Sequence, residues 1–205
     1  MRPHLWSSQV TILAAGLLAL AGPIHEIAAQ NAQRPEIAFT VHRLNEPNVE
    51  GPDVERTYFL AAGKRIVFGQ PKDCHFTFND AGFLILPTGL DGEIQVSRST
   101  FTPESDLAEN ALKYRESAAK GTPKGATQLE VQQPVMNPYP YNGWKSLGFV
   151  WTYALSGRPM TRTVNYINLE VGVQVVVTTL AAKNDAEAVN KIARQFMSGW
   201  WVMGG

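Results

Sequence analysis

The chain has 205 residues, with 18 Lys plus Arg balanced by 18 Asp plus Glu, and one cysteine. Tight binding to a nucleic-acid backbone needs a net basic face that releases counterions, and this balanced chain carries no Lys or Arg run, so nucleic acid is excluded as a partner. A single cysteine excludes an intramolecular disulfide, so stability must come from a hydrophobic core, and the length suits one such core in one domain.

The N-terminus carries Arg2, an apolar run over 10–21, the breaker pair Gly22-Pro23 and the small residues Ala28-Ala29. That order predicts a secretory signal peptide over 1–29, cleaved after Ala29 with Ile27 at the minus-three position. The apolar run falls well short of the about 20 residues that cross a bilayer. The later apolar segment "VGVQVVVTTLAA" is interrupted by Gln174 and two threonines, and Cys74 is too far along to be a lipid attachment site. The expected location is therefore extracytoplasmic, periplasmic or secreted, with no integral membrane segment after cleavage.

Residues 30–56, with Pro35, Pro47 and Pro52 around the extended "IAFTVHRL", read as an N-terminal arm, and 57–205 as the domain. "TYFLAAGKRIVFG" places Gly63 between two short apolar runs, a hairpin signal, and "CHFTFNDAGFLILP" repeats it around Asn79-Asp80-Ala81-Gly82. "EIQVSRSTF" alternates sides, with Ile94 and Val96 on one face. The first helix is predicted from its punctuation. Thr102 caps it, Pro103 takes the first position, Glu104 and Asp106 favour the positive end of the dipole, and Gly121 ends it. Leu107, Ala111, Tyr114 and Ala118 give it one apolar face.

A strand near "TQLEVQQ" leads into "PVMNPYPYNGW", residues 134–144, where three prolines, two tyrosines and a tryptophan crowd together. The run "SLGFVWTYALSGRPMTRTVNYINL" then outlines a long hairpin turning at Ser156-Gly157-Arg158-Pro159, in which Pro159 must avoid a ladder donor position. In "VGVQVVVTTLA", Val173, Val175 and Val177 share one face while Val176 and Leu180 take the other, so this strand is covered on both sides. The closing helix is capped by Asn184 with Glu187 three residues on, and Val189, Ile192, Ala193, Phe196, Met197 and Trp200 form its apolar stripe. Burying the five large members at roughly 1.5–3 kcal/mol each gives on the order of 10 kcal/mol before ordering entropy is subtracted, so the helix must dock.

The succession of long hairpin "WTYALSGRPMTRTVNYI", strand "VQVVVTTLAA" and helix "DAEAVNKIARQFMSGW" resembles the C-terminal half of PsbP-like and DcrB-like proteins. The earlier strands and "TPESDLAENALKY" resemble their N-terminal half more loosely, so the likeness spans about 57–201. The resemblance implies an α+β fold, an antiparallel β-sheet sandwiched between helices on both faces. It also implies an accessory or binding role, and it brings no catalytic residues with it.

Chemistry in the residues themselves is sparse. Cys74 and His75 are adjacent, so on a strand they point to opposite faces and cannot form a thiol–imidazole dyad. A metal site would require His42, His75, Cys74 and a carboxylate to converge without any ligand spacing in the sequence. No Gly-x-Ser-x-Gly elbow occurs, and Gly63-Lys64 lacks the first glycine of a phosphate loop, Tyr58 standing in its place. Paired acids for glycoside hydrolysis are not singled out.

The 134–144 stretch has two readings. A Pro-rich loop is partly ordered in advance, and Tyr and Trp favour binding hot spots, which makes Tyr139, Tyr141 and Trp144 partner contacts. Alternatively the same rings fold over an open end of the sheet and are core. Arg158, at the hairpin tip, reads as solvated. The expectation is a non-enzymatic protein without cofactor or metal that binds a protein partner or an envelope complex. The alternatives are a small-molecule or lipid carrier using a sheet–helix cleft and, third, a hydrolase.

Overall fold

The computed structural model describes residues 37–46, 54–78, 81–101, 106–138, 143–169 and 172–203, with side chains from residue 57 onward. The expected signal peptide lies outside the described residues. The first strands are β1 (Ile37–Glu46), β2 (Val54–Ala61), β3 (Lys64–Phe68), β4 (His75–Phe78), β5 (Gly82–Ile85) and β6 (Gly92–Arg98). Helix α1 (Ala111–Ala119) is followed by β7 (Thr127–Val131), β8 (Val135–Met136), β9 (Ser146–Leu155), β10 (Arg158–Leu169) and β11 (Val173–Ala182). Helix α2 (Ala186–Ser198) and β12 (Trp201–Met203) close the chain. The strands pair antiparallel in two sheets. One runs β1-β2-β3-β12; the other runs β4-β5-β6-β11-β10-β9-β7, with β8 also on β9.

Both predicted hairpin turns form for a conformational reason. Ala62 and Gly63 have φ of 51° and 73°, and Ser156 and Gly157 have 52° and 77°, the left-handed pair that two-residue turns between twisted strands require. In the long hairpin the register runs unbroken from Arg158↔Leu155 to Ile167↔Ser146. Pro159 needs no donor there, and its carbonyl accepts from the Lys183 N–H at 3.0 Å.

The two faces of β11 go to different cores, as its alternation predicts. Val173, Val175, Val177 and Ala181 join a cluster with Ile94 and Val96 of β6 and with Val189, Ala193, Phe196 and Met197 of α2. Val176 and Leu180 pack instead against a second cluster built from Leu147, Phe149, Trp151, Tyr153, Val164 and Tyr166 with Tyr114 and Ala118 of α1. The stripe of α2 is buried as expected, with Ile192 at its margin.

The expected architecture, one sheet sandwiched between helices on both faces, is overturned: the fold is dominated by antiparallel sheet. Among the described residues twelve strands stand against two helices, of 9 and 13 residues. The physical reason lies in the first hairpin. Phe59, Ala61, Ile66 and Phe68 all turn inward, so β2 and β3 form a small sheet that shares with α2 the layer assigned to helix alone. Phe68 meets Phe196 edge-on at 5.0 Å and Phe59 meets Trp200 at 5.4 Å, which ties that sheet to α2. The stretch read as an arm supplies β1, paired with β2, and the chain's end supplies β12, paired with β3 at Trp201↔Val67. On the other side α1 is too short to make a layer, burying only Tyr114 and Ala118.

The helix starts also differ from the sequence reading. Thr102 and Pro103 lie outside the described residues. The acid that organises the approach to α1 is Asp106, whose carboxylate accepts from the N–H groups of Ala108 at 2.8 Å and Glu109 at 3.0 Å. The N-cap of α2 is Asp185 rather than Asn184, and its carboxylate accepts from the Asp91 N–H at 3.3 Å instead of capping the helix. No helix of the described residues is long and apolar enough to cross a membrane.

Candidate functional site

The sequence singled out thiol, imidazole and aromatic residues, and the fold distributes them widely. Cys74 is 3% exposed in the core beside Phe68 and Phe76, and burial, with Asp73 adding to it, pushes its thiol pKa up. His75 is exposed on the opposite side of its strand. The side chain of His42 is not described; its backbone pairs with Tyr58 in the small sheet. Among the described residues no group of three His, Cys, Asp or Glu could hold a metal ion. Arg158 is exposed and pairs with Asp91. A cavity of about 260 Å3 lies at that hairpin tip and the start of α2, bounded by Arg158, Pro159, Lys183 and Asp185.

Two of the three residues proposed as partner contacts, Tyr139 and Tyr141, lie outside the described residues. Trp144 is 6% exposed and belongs to the core with Ile167 and Leu169. The roots of this stretch are fixed to the sheet. Asn137 donates its N–H to the Ser146 carbonyl at 2.7 Å, and its side-chain oxygen accepts the Ser146 N–H at 3.0 Å. Pro138 rests on Gly148, where a Cβ would come within 3.0 Å of the proline ring and 2.8 Å of Asn165 Oδ1.

Gln174, read from sequence as a break in an apolar run, is the pin that sets α1 on the large sheet. Its Nε2 donates to the Tyr114 hydroxyl at 3.0 Å and to Asn168 Oδ1 at 2.6 Å, and its Oε1 accepts from Ser99 Oγ. Tyr166 adds a bond from its hydroxyl to the Tyr114 carbonyl at 3.2 Å.

The surface that sequence reasoning missed is the open edge of the large sheet. β7 ends that sheet, and β8 continues along the same side of β9, from Thr127↔Ala154 through the Gln132 N–H to the Val150 carbonyl and on to Met136↔Leu147. Among the described residues no strand lies beyond it. From 127 to 137 every side chain except Val131 is exposed, including Leu129 at 49%, Val135 at 53% and Met136 at 42%. The edge is broken by a register shift at Gln128, whose φ is 54°, and by Pro134, a residue that sheets tolerate at edges. Pro134 was the one available signal that this strand is peripheral. Exposed Lys120 and Lys124 precede the edge, and exposed Lys145 stands at its far end, set against the single acid Glu130 within it.

No family model and no curated protein matches the chain. Its fold is similar to several solved structures at low identity. The crystal structure of PA94, a protein of unknown function from Pseudomonas aeruginosa, is 12% identical over 80% of this chain and 99% of that one, with a TM-score of 0.46. LpqN of Mycobacterium tuberculosis, involved in cell envelope biogenesis, is 12% identical over 89% of this chain and 100% of that one, with a TM-score of 0.41. The Ran-binding protein Mog1p of Saccharomyces cerevisiae is 14% identical over 80% of this chain and 96% of that one, with a TM-score of 0.40. The three share with this chain a mostly β-sheet scaffold, and none bears a PsbP or DcrB name.

Proposed function

We propose that this chain is a non-catalytic, extracytoplasmic binding or accessory protein that takes an extended, acidic segment of a partner protein onto the β7–β8 edge. The extracytoplasmic part rests on the N-terminal sequence. The observation that carries the binding part is the exposed edge itself. Its outer N–H and C=O groups form a template for one more strand, and Leu129, Val135 and Met136 offer apolar surface to the side chains of that strand. The charge around it selects the occupant. Two copies paired antiparallel would bring Lys124 of one towards Lys145 of the other, whereas an acidic strand meets lysines at both ends. Tyr139 and Tyr141 follow β8 directly in the chain and extend the same surface.

A fluorescein-labelled peptide alternating Val and Glu serves as probe, read by anisotropy at low salt. The purified chain should bind it, added salt should weaken binding, and Leu129→Glu/Val135→Glu should weaken it about tenfold or more while circular dichroism stays unchanged. Binding that survives the double substitution, or an equal preference for an alternating Val-Lys peptide, would sink the reading. A dimer of the free chain that the same substitutions dissociate would assign the edge to a second copy instead.

A further inference from the structure

Arg162 of β10 faces Trp151 of β9, its guanidinium carbon 5.8 Å from the indole centroid. Its Nη1 donates to the Ala118 carbonyl at 2.7 Å, in the last turn of α1. The turn after the helix closes over Nη2 so tightly that a Cβ on Gly121 would collide with it. A guanidinium has five N–H donors, and this is the one hydrogen bond it makes among the described residues. The carboxy end of α1 supplies about half an elementary negative charge, which compensates half of the cation. No carboxylate of the described residues pairs with it.

Three further donors surround this group, and each is out of solvent without a partner: Trp151 Nε1, the Tyr153 hydroxyl and Thr122 Oγ1. Trp151 lies under the guanidinium, Tyr153 is within its electrostatic reach, and Thr122 adjoins the glycine that touches Nη2. Trp151 and Tyr153 are more than nine-tenths buried, while Arg162 and Thr122 are half-buried and keep a path to solvent. Tyr166, which also faces the cation, is engaged with the Tyr114 carbonyl. Buried donors without acceptors are costly in native proteins, and four around one uncompensated charge share a single remedy, a compact acceptor carrying several oxygens.

We propose that the crevice formed by Arg162, Trp151, Tyr153 and Thr122 binds a phosphate group, either free or as the terminal monoester of a larger ligand. The site is separate from the β7–β8 edge and stands or falls without it. Burial lowers the Arg162 pKa first of all, with Tyr153 and Tyr166 acting against it, and an anion in the crevice would act in the same sense as the tyrosines.

The test uses the purified full domain with inorganic phosphate and glycerol phosphate in separate arms, ionic strength being held constant with chloride. Thermal unfolding and tryptophan fluorescence should both respond saturably to inorganic phosphate. A response to glycerol phosphate as well marks the crevice as open to monoesters, and its absence marks a site for the free ion. Tyr153→Phe, which keeps the ring, should weaken binding about tenfold, and Arg162→Met should abolish it. No saturable response in the unsubstituted protein, or an undiminished one in Tyr153→Phe, would overturn the proposal whether or not Arg162→Met folds.

Discussion

Gln174 on β11 and Tyr114 on α1 meet at 3.0 Å across the interface between the large sheet and its one short covering helix. Both are almost wholly buried, and Gln174 spends its remaining capacity on Asn168 and Ser99. α1 buries only Tyr114 and Ala118, so a polar pin carries much of the task of fixing its position.

Replacing that pin tests its weight. Gln174→Leu keeps the volume and removes three side-chain hydrogen bonds, two of them at the buried groups Ser99 and Tyr114. Leaving buried polar groups unmatched costs about 1–3 kcal/mol each, so the loss should be on the order of 3 kcal/mol, and a domain of this size should melt roughly 6–12 °C lower. Gln174→Glu should be worse, because it has no N–H to give Tyr114 and places a charge in the same site. If Glu is tolerated as well as Leu, the pin is not what holds α1.

The parts of this fold legible in sequence are those that local physics decides. Ala62-Gly63 and Ser156-Gly157 turn because a left-handed pair is needed there, and the two faces of β11 follow from its alternation. The stripe of α2 was legible for the same reason. What escaped was pairing between distant segments. Nothing near Val67 announces that Trp201 will lie beside it, so the small sheet and its share of the covering layer were invisible, and helix was assigned the whole. The candidate surfaces escaped for a related reason. Arg162 is a polar residue in an alternating strand until the end of α1 closes over it, and β7 is an ordinary strand until the sheet order leaves it last.

The root of the 134–144 stretch offers a sharp packing test at Gly148. A methyl group there would sit 2.8 Å from Asn165 Oδ1 and 3.0 Å from Pro138, so Gly148→Ala must displace one of them. Overpacking of this kind costs about 1–3 kcal/mol. Pro138 sits on a loop and Asn165 inside a paired strand, so the loop should yield and carry the Asn137 contacts to Ser146 with it. The checks are a fall in melting temperature and faster amide exchange at Asn137 and Ser146. Unchanged exchange would mean the loop is held elsewhere.

Alkaline stability should report on three buried acids at once. Burial raises the pKa of Cys74 above its ordinary 9.0 and those of Tyr153 and Tyr166 above their ordinary 10.0. A group that holds its proton more tightly when folded contributes stability that is complete below its unfolded pKa and disappears as pH rises through the folded one. The folded state should therefore lose stability from about pH 9 upward, first through the thiol and then through the phenols. Urea midpoints across this range should fall for the unsubstituted protein, and Cys74→Val should flatten the earliest part while leaving the later fall in place. Tyr153→Phe should remove part of that later fall. In the native protein at pH 8 the thiol should also react with Ellman's reagent far more slowly than in urea, because both its protonation and its burial beside Phe68 and Phe76 oppose attack. A fast native reaction would place the sulfur at the surface and contradict the core assigned to β4.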